Sequence, residues 1–286
     1  MIPLRLGIVP ALAAMLSCVP AADGPIREAV TFYASFDKGA EADFGAHPEP
    51  RLEFEGAAPL VAGAHGRALR IDNPGQGAAV SYPAQGNLPD PRAAWSGTVS
   101  FWFQAKRGSG ADAVQTLVSV TTRCGSPGGL RVEYVAGRPP ELRLGASSAQ
   151  GGEARPQPAV VAQLRDRAPS DWRHVAVTWA NFDSGRSNAW VALYLDGDMA
   201  GTVTNATFRS GMEAGEGSLC VGENYQGAID ELAVLSRPLS QKEIRRLFSE
   251  PALLAVLKDG PRRRRAAGTE TARNNGWFGY PAFLGR

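Results

Sequence analysis

The stretch WRHVAVTWA, residues 172–180, decides the fold class of this chain. Every second side chain is a large apolar one, namely Val175, Val177 and Trp179, whereas the residues between them, beginning with Trp172, are mixed in polarity. Successive side chains of a β-strand point to opposite faces, so this segment has one apolar face and one mixed face. The pattern predicts a strand of an antiparallel sheet that packs one face against a core.

Similar strand patterns recur along the chain. GTVSFWFQA, residues 97–105, places Val99, Phe101 and Phe103 on one side. Further strand-like runs, each bounded by glycine, proline or polar residues, cover residues 29–36, 67–71, 78–82, 114–122, 129–135, 141–146, 189–196, 199–207, 218–223 and 228–235. No convincing helix lies between them, which predicts an all-β, antiparallel two-sheet sandwich. Residues 145–170, rich in Ser, Gly, Pro and Arg, are predicted to form a long loop.

One helix is predicted near the C-terminal end of the sandwich. Ser240 and Glu243 have the spacing of a capping box, and Leu239 and Ile244 have that of a hydrophobic staple. Ile244 also begins an i, i+3, i+4 apolar stripe that can dock on a sheet. Because Pro251 disfavours extension, the helix is expected to be short.

The first residues have the pattern of an export signal. Arg5 precedes the apolar residues 6–16, and small residues follow at Ala21 and Ala22. A helix of that length reaches roughly 17 Å, short of the ~30 Å hydrocarbon layer, so no membrane span is expected after cleavage. Residues 1–21 are therefore predicted to be a signal peptide, with lipidation at Cys18 as the alternative. Both predict a secreted, periplasmic or cell-surface protein.

The C-terminal residues 258–286 are predicted to form a basic, disordered tail. They hold seven basic and two acidic residues, including the run Arg262–Arg265, and they lack hydrophobic periodicity. The alternative is that this run tethers the protein to anionic polymers or lipids. The rest of the exported chain is mildly acidic, which argues against nucleic acid as a partner.

Cys124 and Cys220 are the two cysteines that remain after the signal segment. Outside the cell a disulfide between them is permitted, and closing a loop of about 96 residues would stabilise the fold by at most ~4–5 kcal/mol. The alternative is a pair of buried free thiols that pack as small apolar side chains. The spacing alone leaves both open.

Taken in order, these landmarks resemble the laminin-G-like jelly rolls of the concanavalin A-like lectin and glucanase superfamily. The matching pieces are ASFDKG, GRALRI, GTVSFWF, WRHVAVTWA, VALYLDGDMAGT, LCVGEN and GAIDELAVLSRPLSQKEIRRLF. They extend over roughly residues 28–250. The resemblance implies a single jelly-roll domain of two antiparallel sheets with one short C-terminal helix. It implies no single function, since the superfamily contains lectins, adhesion modules and hydrolases.

No catalytic residues are predicted. Retaining glucanases of this fold carry Glu-x-Asp-x-Glu on one strand, whereas Asp230 has Ala228 and Leu232 at those positions. Asp230 and Glu231 are neighbours, so alternation predicts that they point to opposite faces. The three histidines have no zinc-type spacing. A catalytic site assembled from distant loops remains the alternative.

Asp230 is nevertheless a candidate site residue. Alternation predicts that it shares an apolar face with Leu232 and Val234, where a carboxylate must be paired or coordinated. Relatives of this fold often hold a structural calcium ion where the first strand meets the last, and Asp37 would be a second ligand. The alternative is that Asp230 accepts backbone N–H or arginine hydrogen bonds without a metal. Glu231 is predicted to face solvent.

Aromatic residues and their polar neighbours are the other candidate ligand contacts, because sugars stack on exposed rings. Tyr225 and Asn224 follow the LCVG run, and Asn188 precedes Trp190. These four residues are predicted to bind a ligand. Core packing is the alternative for the tryptophans on mixed strand faces, which are Trp102, Trp172 and Trp190.

The sequence therefore predicts an exported, non-catalytic module that binds carbohydrate or another cell-surface partner such as a protein. One alternative is a glycan-cleaving hydrolase with a non-standard loop site. The other is a structural envelope or adhesion component whose sandwich packs against other proteins.

Overall fold

The computed structural model of the protein describes residues 25–52, 59–73, 77–90, 94–106, 113–126, 129–147, 158–164, 171–208, 210, 212, 216–250 and 252–258. The predictions for the signal peptide, for Cys18 and for the tail beyond Lys258, including Arg262–Arg265, lie outside these residues. None of the helices in the described ranges is long and apolar enough to cross a membrane.

Fifteen strands and three short helices occur in the described part of the chain. The strands are β1 (Val30–Ala34), β2 (Arg51–Leu52), β3 (Leu60–Ala62), β4 (Arg67–Asp72), β5 (Val80–Pro83), β6 (Trp95–Ala105), β7 (Val114–Thr121), β8 (Gly129–Val135), β9 (Glu141–Ser147), β10 (Pro158–Gln163), β11 (Arg173–Phe182), β12 (Ala189–Leu195), β13 (Asp198–Ala206), β14 (Ser218–Glu223) and β15 (Gln226–Leu235). The helices are α1 (Ile26–Ala29), α2 (Gln241–Ser249) and α3 (Ala252–Ala255).

The strands form two antiparallel sheets. In the first sheet the order is β13-β12-β11-β6-β15-β4-β3, and β1 also pairs with β15. In the second sheet the order is β10-β9-β8-β7-β14-β5-β2. Neighbours in space are often distant in sequence, as expected for a jelly roll rather than a simple meander. The predicted all-β antiparallel sandwich is confirmed.

The main core lies between the two sheets. Val175, Val177 and Trp179 of β11 are fully buried there, next to Phe101 and Phe103 of β6. Val175 pairs with Phe101 across the two strands, so the apolar faces of β11 and β6 coincide. The alternation in the sequence therefore identified the face that packs into the main core correctly.

The outer face of the first sheet is covered in part by α2. Ser240 and Glu243 form the predicted capping box, in which the Ser240 side chain accepts from the Glu243 backbone N–H. Leu239 and Ile244 are both buried in a second apolar cluster beneath the helix, together with Ala176 of β11. The predicted docking helix is confirmed, and α3 follows it as a further short turn.

The predicted loop at residues 145–170 is wrong in part, because Pro158–Gln163 forms β10 at the edge of the second sheet. β10 pairs antiparallel with β9. Val160 and Ala162 are buried in the main core, whereas Val161 between them is exposed. A short run of small residues among polar ones gave too weak an alternation signal to separate this strand from a loop.

Cys124 and Cys220 form a disulfide, with their Cα atoms 5.7 Å apart. Cys220 lies in β14, and Cys124 lies just beyond β7, the strand that pairs with β14. The bond closes a sequence separation of 96 residues. Of the two alternatives that the spacing left open, the structure contains the disulfide.

Candidate functional site

A β-bulge in β15 places two acids on the outer side of the first sheet. β15 pairs with β4 through Gln226–Ile229 and with β1 through Leu232–Leu235, and its register with β6 shifts between Asp230 and Ala233. At the bulge Glu231 has a φ of 51°, in the left-handed region. A bulge inserts one extra residue, so the inside-outside alternation changes phase there.

This phase change corrects two predictions. Asp230 lies opposite Trp102 of β6 on the outer face, so the prediction that it shares a face with Leu232 and Val234 is wrong. Glu231 lines a small cavity together with Trp102 and is 8% exposed, so the prediction that it faces solvent is wrong. The two acids therefore lie on the same side of the sheet, which simple alternation could not anticipate.

The loop between β3 and β4 and the first residue of β4 supply backbone hydrogen bonds to the carboxylates. Asp230 Oδ2 accepts from the His65 N–H at 3.0 Å, and Asp37 Oδ1 accepts from the Arg67 N–H at 2.8 Å. Asp230 Oδ1 also accepts from the Glu231 N–H. Burial raises the pKa of Asp230 to about 7, against the lowering effect of the His65 N–H.

Lys258 joins this acidic cluster from the C-terminal end. Its ammonium group donates to Asp37 Oδ2 at 2.7 Å and to Glu231 Oε1 at 2.8 Å. The Tyr33 hydroxyl donates to the other oxygen of Glu231. Burial raises the pKa of Glu231 although both partners oppose the shift. Burial works against a charged Lys258, but the two carboxylates keep its pKa above the ordinary value.

These residues do not fit a calcium ion as they are arranged. Calcium takes about six to eight oxygen ligands. Here the oxygens of Asp37 and Asp230 accept hydrogen bonds, and the ammonium group of Lys258 supplies the positive charge between Asp37 and Glu231. No group of three or more candidate metal ligands occurs in the described ranges. The hydrogen bonds match the metal-free alternative, and calcium binding stays a prediction.

Two histidines lie beside the cluster, the half-buried His65 and the buried His174. His174 Nε2 is 2.9 Å from Ser100 Oγ, and both residues are buried. Burial lowers the pKa of His174 to about 3. In the described structure His174 Nδ1 has no hydrogen-bond partner, so no acid orients the ring as in a catalytic triad. The rings of His65, His174 and Phe248 pack around Trp102, so this group has the surroundings of a core rather than of an open site.

The four residues predicted to contact a ligand do not form one site. Trp190 is half-buried against the apolar cluster under α2, and Asn188 is exposed beside it. Tyr225 is fully buried, and its hydroxyl donates to the Gln104 carbonyl oxygen at 2.8 Å. The prediction that Tyr225 presents an accessible ring is therefore wrong. Asn224 is half-buried, and its side chain donates to the Val114 carbonyl oxygen.

The strand register separates these residues into two groups. Trp190 pairs with Ala180, next to the pair Trp179–Gly97, whereas Tyr225 contacts Gln104. Gly97 and Gln104 are seven residue steps apart along β6, which is roughly 23 Å of extended chain. Trp190 with Asn188 and Tyr225 with Asn224 thus lie toward opposite ends of the first sheet.

An open cleft of about 500 Å³ lies at the Gln104 end of this sheet. Ala105, Gly227 and Ala228 contribute small residues to it, and Val61–Gly63 of the β3 edge also line it. The side chains able to contact a ligand are those of Arg70, Asp72, Gln104, Lys106 and Trp172. Its volume lies in the range typical of small-molecule sites, about 300–1,000 Å³.

Four adjacent strands position the cleft residues in one row. Arg70 of β4 pairs with Ala228 of β15, which in turn pairs with Gln104 of β6. Trp172 immediately precedes Arg173, which pairs with Phe103, so the register carries Trp172 to the level of Gln104. Paired residues of antiparallel strands share a face. The small Ala228 side chain leaves room above the sheet between Arg70 and the ring of Trp172.

The cleft combines an aromatic ring with charged and amide groups. Trp172 and Gln104 are half-buried, whereas Arg70 is exposed. Asp72 is 3.6 Å from Lys106 Nζ and accepts a hydrogen bond from the Gln226 amide. Sequence reasoning noted Trp172 only as one of several tryptophans on mixed strand faces. The other cleft residues are distant in sequence and become neighbours only through strand pairing.

The comparisons with known proteins agree with this architecture. The family model described as the concanavalin A-like lectin/glucanases superfamily matches residues 74–245. No curated protein is significantly similar to the chain.

Among solved structures, the binding domain of Paraclostridial Mosquitocidal Protein 1 is similar to the chain with a TM-score of 0.54 and 14% identity, covering 79% of this chain and 53% of that one. The binding domain of botulinum neurotoxin DC in complex with rat synaptotagmin II has a TM-score of 0.54 and 13% identity, with coverage of 80% and 52%. The same domain in complex with SialylT gives the same four values.

The chain spans about half the length of these solved binding domains. At this low identity the similarity shows a shared fold. The family match, by contrast, covers more than half of the chain and agrees with the two antiparallel sheets and the docked helix. The chain therefore belongs to the concanavalin A-like lectin/glucanases superfamily.

Proposed function

We propose that the protein is an exported, non-catalytic module that binds carbohydrate in the cleft between Trp172 and Arg70. The observation that carries the proposal is the half-buried ring of Trp172 in an open cleft that also contains amide and charged groups. A sugar presents an apolar C–H face and a rim of hydroxyl groups. An aromatic ring beside amide and charged side chains matches both features.

The number and position of the carboxylates favour a binding role for the cleft over a role in glycoside cleavage. Most glycoside hydrolases use two carboxyl groups that flank the scissile bond. Among the described residues that line the cleft, Asp72 is the one carboxylate, and it is engaged by Lys106 and Gln226. Asp230 and Glu231 are buried elsewhere and hold His65 and Lys258. This arrangement supports a ligand-binding role without hydrolysis.

Two further observations support the proposal. The fold is similar to binding domains of botulinum neurotoxin DC in complex with SialylT or with rat synaptotagmin II. The disulfide is typical of proteins that fold in an oxidising compartment, which supports export to the periplasm, the cell surface or the medium.

The test is a glycan array followed by calorimetry, with the full chain and two tryptophan variants. Trp172→Ala is expected to weaken saccharide binding about tenfold or more, which corresponds to about 1.4 kcal/mol, because it removes the ring on which the sugar stacks. Trp190→Ala is the matched control, because Trp190 lies toward the other end of the same sheet. Equal losses in the two variants, or specific capture of a protein with no saccharide bound, would contradict the proposal.

A further inference from the structure

We infer that the cleft selects saccharides that carry a carboxylate, namely uronic-acid oligosaccharides, with Arg70 as the residue that recognises the acid group. The inference rests on the proposed function and adds the chemical class of the ligand. It starts from three charged side chains, Arg70, Lys106 and Asp72, which line the cleft with a net positive charge.

Within this set, Asp72 and Lys106 form an ion pair. Lys106 Nζ is 3.6 Å from Asp72 Oδ1, and the Gln226 amide donates to the same carboxylate at 2.9 Å. Asp72 is therefore balanced by Lys106, just beyond the end of β6, and by Gln226 on β15. Arg70 on β4 is exposed at the opposite side of the row from Trp172. An arginine in that position presents a planar fork that matches a carboxylate with two parallel hydrogen bonds.

The spacing of Arg70 and Trp172 favours an elongated ligand. Arg70 and Trp172 are separated by three strand-to-strand steps, through Ala228 and Gln104. With ~4.8 Å between neighbouring strands, their Cα atoms are roughly 14 Å apart. A short oligosaccharide lying across the strands is long enough to contact both Trp172 and Arg70. Gln104, near the middle of the row, offers both a donor and an acceptor to hydroxyl groups.

Small residues line part of the cleft between Arg70 and Trp172, which leaves space for an oligosaccharide lying across the strands. Ala228, Ala105 and Gly227 line the cleft between the polar residues. Tyr225 fills the space on the other side of β15, where its hydroxyl lies against Gly227 and Gln104. The sheet is therefore closely packed beneath the cleft.

The experiment uses the full chain and uronate trimers of galacturonic, glucuronic, mannuronic and guluronic acid, each with its methyl ester. The ester keeps the shape of the sugar and removes its charge. At least one free acid is expected to bind about tenfold or more tightly than its ester, as a charge-assisted hydrogen bond implies. Arg70→Gln is expected to abolish that preference, so that the free acid and its ester bind equally tightly.

Arg67→Gln is the matched control, because Arg67 is an exposed arginine on the same strand and does not line the cleft. If free acids bind no tighter than esters, or if both arginine variants lose equally, the inference is wrong. In either case, a loss of ester binding in Trp172→Ala would still support the proposed carbohydrate site, although the inference about the carboxylate would be wrong. If no saccharide binds, or Trp172→Ala changes nothing, the proposed function itself fails and the inference fails with it.

Discussion

Replacing Lys258 by methionine tests the polar cluster at the bulge of β15. Methionine retains an unbranched stem of similar length and removes the ammonium group that bridges Asp37 and Glu231. Lys258 is 19% exposed, Glu231 8% and Asp37 27%. Asp37 keeps the Arg67 N–H and is open enough for water to replace the lysine. Glu231 keeps the Tyr33 hydroxyl alone, so most of the loss falls on this carboxylate.

The expected loss is about 2–3 kcal/mol of unfolding free energy at pH 8, since hydrogen bonds to charged groups contribute about 1.5–3 kcal/mol. The sign of the pH dependence follows from Glu231. Burial already raises its pKa, and removal of Lys258 raises it further. An acid with a raised folded-state pKa destabilises the protein as pH rises through that pKa. The loss is therefore expected to be smaller at pH 5 than at pH 8, because a lower pH favours the protonated form of Glu231.

The assay is urea unfolding followed by tryptophan fluorescence at pH 5 and pH 8. Lys242→Met is the control, because Lys242 is an exposed lysine on α2, and its loss is expected to cost less than about 0.5 kcal/mol. Adding Glu231→Gln to Lys258→Met is expected to recover most of the stability at pH 8. A loss in Lys258→Met below about 0.5 kcal/mol at pH 8, or an equal loss at both pH values, would refute the reasoning.

Two further predictions concern the bulge and the disulfide. The pKa of Asp230 is raised to about 7, so its folded state binds a proton that the unfolded state releases, and this contribution lowers stability as pH rises from about 4 to 7. Asp230→Asn is expected to flatten the decline in unfolding free energy between pH 5 and pH 8, and an unchanged slope would contradict this. Changing Cys124 and Cys220 together to alanine is expected to lower stability by up to ~4–5 kcal/mol, measured by urea unfolding. No loss would show that the bond does not constrain the unfolded chain.

The sequence predicted the parts of the fold that depend on local patterns. Val175, Val177 and Trp179 alternate over a length that fits a strand, and all three are in the core. Ser240 and Glu243 lie three residues apart, and the capping box they form is a local interaction. Each of these signals is contained within about ten residues, so it can be recognised without knowing how the rest of the chain folds.

The errors arose where alternation is broken or where burial depends on distant strands. Glu231 adopts a left-handed backbone in the bulge, so Asp230 and Glu231 lie on one side although the sequence alternates through them. Tyr225 follows Gly-Glu-Asn and was predicted to be accessible, but β6 supplies the Gln104 carbonyl oxygen that satisfies its hydroxyl in the interior. Neither feature has a signature in the residues themselves.

The candidate cleft was not predictable for a related reason. Arg70, Gln104 and Trp172 lie on strands that are separated by tens of residues in sequence and meet through Ala228 of β15. These residues become neighbours because of the order of the strands in the first sheet. The mixed face of WRHVAVTWA pointed to Trp172 as an outward side chain, but its neighbours follow from topology alone.

The most direct test of the carbohydrate site is a crystal structure of the full chain with the tightest-binding saccharide from the array. We predict a sugar ring stacked on Trp172 and a carboxylate within hydrogen-bond distance of Arg70. A saccharide bound beside Trp190, or on the second sheet with the Trp172 cleft empty, would contradict the account.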